Sequence, residues 1–95
     1  MLLKRYYNLK LFNFGNCFGG EEATFSWEVD GDMWRLAPST ITVERKVTGR
    51  WSVYCGGREI MPGNHNSAEW AKRDAWTFAH QNRRSLFGAY RIRLV

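Results

Sequence analysis

Lys72, Arg73, Trp76, His80, Arg83 and Arg84 lie within AEWAKRDAWTFAHQNRR, the densest mixture of aromatic and basic side chains in the chain. Lysine and arginine hold phosphate oxygens while tryptophan and histidine rings stack on exposed bases, the combination that grips single-stranded or looped nucleic acid. An acidic groove on another protein is a second kind of partner for the same side chains. At 100° per residue these positions gather along one flank of a helix. Asp74, among them, can pair with its basic neighbours and weakens the flank as an anion site.

A second constellation is acidic. Residues 21–34 carry Glu21, Glu22, Glu28, Asp30 and Asp32 and no base, around Trp27 and Trp34. A negatively charged protrusion with aromatics suits docking on a basic surface of a partner protein, and also keeps a hairpin tip soluble. DGD alone lacks the ligand series of a calcium loop.

Catalytic groups are few. His65 and His80 are the only histidines, and a two-histidine nuclease would need both beside one phosphate with a cation to stabilise charge. Nothing in their spacing demands this. Cys17, Cys55, His65 and His80 are zinc-ligand types without the close paired spacings of a zinc site. GNCFGG lacks the lysine and hydroxyl residue of a phosphate loop. These readings predict a protein that is not an enzyme and needs no cofactor or metal.

The elements that must position these residues follow from hydrophobic period. Leu2–Phe12 alternates as a first strand, preferred over a helix through Leu3, Tyr7, Leu11 and Phe14 because the segment is rich in aromatics, and GNCFGG breaks the pattern. EEATFSWEVDGD places Ala23, Phe25, Trp27 and Val29 on one face, with a tight turn at Asp30-Gly31 and MWRLA returning as far as Pro38. STITVERKV points Ile41, Val43 and Val47 inward, Thr48-Gly49 turns the chain, and RWSVYC returns with Trp51, Val53 and Cys55 inward. REIM forms a short strand that Pro62 and Gly63 stop.

The period then changes to about 3.6. Asn66 or Ser67 caps a helix over 67–83, Glu69 standing three residues after Asn66 as in a capping box. Ala68, Ala71, Ala75, Phe78 and Ala79 form its buried stripe, small enough for close packing on a sheet. After Gly88, Tyr90, Ile92 and Leu94 alternate with Arg91 and Arg93 in a last strand. The predicted fold is α+β: a meandering antiparallel sheet of about five to seven strands, one helix packed on a face near the C-terminus, then a final strand, all in one domain over 1–95.

The strand, strand, turn and helix run from Ile41 to Arg83 is loosely similar to three-stranded DNA-binding domains that lay a sheet in the major groove. In those domains the sheet face away from the helix carries the base contacts. The resemblance, which covers less than half the chain, implies a contact surface at Lys46, Arg50, Ser52, Tyr54 and Arg58. Arg45, Arg91 and Arg93 would extend a basic surface or protect strand edges from aggregation.

Composition agrees with a binding role. Net charge is +5, and ten of the fourteen cations are arginine, the residue suited to bidentate phosphate contacts and to stacking. Two unpaired-spaced cysteines and an N-terminus without a signal-peptide pattern predict a reduced, cytoplasmic protein, and no apolar run reaches the roughly 18 residues of a membrane span. The leading expectation is a small non-catalytic protein contacting nucleic acid or a nucleoprotein complex. The alternative is a protein-directed module that inhibits a larger assembly, of the kind mobile elements use against host defence.

Overall fold

A computed structural model describes residues 20–95, without the side chains of Glu21 and Asn64. Leu2–Phe12 and GNCFGG, Cys17 included, lie outside the described residues except for the last glycine, Gly20. Strand β1 spans Gly20–Asp30, β2 Met33–Ala37, β3 Ile41–Arg45, β4 Trp51–Cys55 and β5 Arg58–His65. Helix α1 spans Ala68–Gln81, α2 Arg83–Phe87, and β6 covers Ala89–Leu94.

The six strands form one sheet in the order β5-β4-β3-β2-β1-β6. The first four pairings are antiparallel neighbours joined by short turns, as alternation predicts. The last strand departs from the meander: β6 pairs in parallel with β1, Ala23 opposite Ile92 and Phe25 opposite Leu94. A parallel neighbour needs a crossover, and the helical segment supplies it by carrying the chain from the β5 edge to the β1 edge. The sheet is therefore mixed, and the domain is α+β.

The core joins one sheet face to the helices. Ala23, Phe25, Leu36, Ile41, Val43 and Val53 meet Ala71, Ala75 and Ala79 of α1 and Phe87 of α2. The three alanines are wholly buried, so the helix backbone lies close to the strands. Phe25 is the hub, with Phe87 at 4.8 Å and Trp76 edge-on at 6.1 Å between ring centroids. Rings in such tilted arrangements add about 0.5–1.5 kcal/mol to the area they bury.

Local details differ from the pattern in physically clear ways. The helix is capped by Ser67, whose hydroxyl accepts the Trp70 N–H, so Glu69 does not complete a box with Asn66. It ends at Gln81, where Asn82 turns its amide to the Phe78 carbonyl at 2.9 Å and opens the separate turn α2. Strand β3 stops at Arg45, and Val47 stands fully exposed at the tip of a turn closed by Lys46 N–H to Arg50 O and Gly49 N–H to Lys46 O. Strand β5 runs through Pro62 and Gly63 to His65. Among the described strands it is an edge, where a proline without an N–H is tolerated, and bulges opposite β4 absorb the irregularity.

Among the described residues no helix is long and apolar enough to cross a membrane.

Candidate functional site

Helix α1 packs over β3, β4 and β5, and α2 packs over β6. Among the described residues, the corner formed by the hairpin end of β1 and the last residues of β6 is bordered by the flank of α1 and not packed beneath its buried alanines. Burial along β1 records this: Ala23 and Phe25 are buried, Trp27 is half-buried and Val29 is 58% exposed. The inward face predicted for Val29 thus lies outside the core.

A groove of about 440 Å³ opens at this corner, lined by Trp27, Glu69, Lys72, Arg73, Trp76 and Leu94. Three of the sequence-predicted flank residues, Lys72, Arg73 and Trp76, therefore share one concave surface. Trp76 meets Phe25 of the core in a T-shaped contact and also lines the groove. Lys72 is withdrawn into it, 14% exposed, its ammonium 3.7 Å above the Trp34 ring and 5.6 Å from that of Trp27. Glu69, one turn earlier, holds Lys72 at 3.6 Å. The cation is held by ring quadrupoles and one exposed carboxylate, at the inner end of the groove.

The remaining flank residues continue toward β6. His80 is exposed, and Arg83 donates from Nη1 to the His80 carbonyl at 2.7 Å and from Nε to the Tyr90 carbonyl. Arg83 is thus committed to tying the end of α1 to β6. Arg84 stacks at 4.2 Å on Tyr90, which is 57% exposed. Tyr90, Ile92 and Leu94 share one face of β6, so the stacked pair and the groove lie at opposite ends of one strip. Arg91 and Arg93 are exposed on the other face of this strand. No acidic residue follows Asp74 in the chain, although Glu22 of β1 lies in register with Arg91.

The sheet positions implied by the DNA-binding resemblance are arranged differently. Ser52 is buried, and its hydroxyl accepts the Gly63 N–H at 2.7 Å, so it faces no ligand. Lys46 pairs with Glu59 at 3.0 Å. That hydrogen bond raises the Lys46 ammonium above its usual range and holds the Glu59 carboxyl below its own, with Ser52 contributing to the latter. Burial, then the Glu59 charge, pushes the Tyr54 phenol up. Thr42 donates to Glu44 at 2.9 Å, and Arg35 binds Glu28 at 2.6 Å on the same face. The sheet face is a charge-compensated polar layer, with Arg50 and Arg58 exposed at its margins.

The acidic hairpin is partly neutralised in the same way. Glu28 is held by Arg35, and Asp32 stands 3.9 Å from Arg45. Glu22 and Asp30 are exposed, and the Glu21 side chain lies outside the described residues.

The histidines are not brought together. His65 is buried between β4 and α1, Nε2 at 2.8 Å from Asp74 Oδ2 and Nδ1 at 3.3 Å from the Trp51 carbonyl oxygen. Both nitrogens thus face protein oxygens. His80 lies about 9 Å further along α1 than Asp74 at 1.5 Å per residue. Among the described residues no three His, Cys, Asp or Glu side chains converge enough to hold a metal ion.

Sequence reasoning passed over Trp70. It is 56% exposed on the other side of α1, beside a hollow lined by Ile60, Met61, Pro62, His65, Asn66 and Asp74. The signal was available: Trp70 lies about 140° from the centre of the alanine stripe at 100° per residue. Comparison with protein-family models, curated proteins and solved structures finds no match for this chain.

Proposed function

We propose that the protein is a non-catalytic nucleic-acid-binding domain whose contact surface is the strip between α1 and β6. The observation that carries this reading is one groove that joins Lys72 and Arg73 to Trp27 and Trp76, with the Arg84–Tyr90 stack along the same strip. Arginine reaches phosphates whatever the sequence, and tryptophan and tyrosine offer faces to bases. The sheet face is a poorer candidate, because Lys46 is already paired and Ser52 is buried.

The test is binding of labelled oligonucleotides across a salt series. Each phosphate neutralised contributes about −0.7 to the slope of log affinity against log salt for single strands. Arg73→Ala and Arg84→Ala are each expected to make that slope shallower by about this amount. Absence of binding at low salt removes the proposal.

A second reading, a module directed at a protein, is favoured by Trp70 and its hollow. Tryptophan is prominent among residues that anchor protein interfaces. Under this reading a partner is retained after nuclease treatment and lost in Trp70→Ala.

A further inference from the structure

We infer that the groove between α1 and the β1/β6 corner takes an unpaired base, so that the ligand is single-stranded and not duplex nucleic acid; this rests on the nucleic-acid reading above. The walls are rings from two different elements, Trp27 of the sheet and Trp76 of the helix, and Leu94 adds an apolar side. Trp76 is fixed by its edge contact with Phe25, 6.1 Å between centroids, so one wall is set before any ligand arrives. The open groove has a volume of about 440 Å³, within the range of about 300–1,000 Å³ of small-molecule clefts.

Charge selects among planar occupants. Lys72 lies at the inner end and Arg73 is exposed at the rim, two cations against one carboxylate, Glu69, among the described residues that line the groove. An aromatic ring that carries phosphate satisfies both the rings and Arg73 at the rim, while Lys72, held by Trp34 and Glu69, keeps the inner end positive. In a duplex each base is stacked on both faces and paired along its edge, so a duplex presents phosphates to Arg73 and nothing to Trp27 or Trp76. An unpaired nucleotide presents both. The tryptophans therefore favour single strands, whereas exposed arginines serve either form.

The experiment compares anisotropy titrations of a short labelled oligothymidylate and of a duplex of equal length, at low salt, using the full chain. The native protein is expected to bind the single strand at least about tenfold more tightly. Trp27→Ala and Trp76→Leu are expected to weaken single-strand binding by about 5- to 150-fold and to leave duplex binding unchanged. Leucine at 76 retains apolar contact with Phe25, and circular dichroism verifies folding. Should that variant unfold, quenching of native tryptophan fluorescence by the oligothymidylate, diminished in Trp76→Phe, reads the same contact. Equal or tighter duplex binding, or equal weakening of both forms by the tryptophan variants, overturns the inference and leaves nucleic-acid binding standing. Failure to bind either form removes both.

Discussion

Individual side chains divide into those already engaged within the fold and those presented outward. Lys46, Glu59 and Tyr54 belong to the first group, and their titration carries a sign. The Glu59 carboxyl is held low by Lys46, so its contribution to stability is present above the unfolded carboxylate range and is lost as pH falls through the folded value. Lys46 and Tyr54 are raised, so what they contribute is present below their unfolded ranges and fades in strong alkali. Urea denaturation of the native chain and of Glu59→Gln is expected to differ near neutrality and to converge in acid. Phe25 is buried against Phe87 and Trp76, and Phe25→Ala is expected to lower stability by about 3–5 kcal/mol in the same assay. Alternation identified Phe25 as inward but could not mark it as the hub, because Trp76 and Phe87, which pack on its ring, come from the far end of the chain.

At the scale of elements, the sequence was most readable where a single periodicity governs a segment. β1, β2 and β4 follow from alternation with Gly and Asp turns, and α1 from its alanine stripe. Ala75 shows how strict that stripe is: it is wholly buried against the sheet, and Ala75→Leu is expected to cost about 1–3 kcal/mol by overpacking, read as a lower urea midpoint. Gly31 is the opposite case. Its φ is +63° in the β1–β2 turn, and a methyl group there would meet nothing within 4 Å. Gly31→Ala is therefore expected to cost only about 1–2 kcal/mol of backbone strain, less in Gly31→Asn, by thermal melting. Less readable were features set by neighbours. β5 continues past Pro62 because it is an edge among the described strands, Val47 leaves the core because a turn begins at Lys46, and α2 follows from Asn82 closing on Phe78. No local pattern encodes an edge or a partner strand.

For the molecule as a whole, the decisive feature is the return of β6 to β1. Ile92 and Leu94 complete the face that Ala23 and Phe25 begin, so a chain ending at Gly88 is expected to lose cooperative thermal unfolding by circular dichroism. The same return assembles the candidate site. The sequence grouped Lys72, Arg73, Trp76, His80, Arg83 and Arg84 on one flank; α1 carries the first four, and Arg83 and Arg84 stand on α2 beyond the break at Asn82. Sequence alone could not tell that Lys72 retreats over Trp34, that Arg83 is spent on Tyr90 O, or that Trp27 and Leu94 supply the opposite side of a groove. Those facts depend on strand order, and strand order depends on a parallel pairing between segments roughly seventy residues apart.

The pairing has a mechanical consequence. β1 and β6 run side by side in the same direction, in register from Gly20 with Ala89 to Phe25 with Leu94. Tension applied between Gly20 and Val95 pulls these strands lengthwise past one another, so their hydrogen bonds share the load and must rupture nearly together. Tension across the antiparallel β1–β2 hairpin from Gly20 and Ala37 opens the bonds one after another. Single-molecule pulling is expected to require a clearly higher rupture force in the first geometry than in the second.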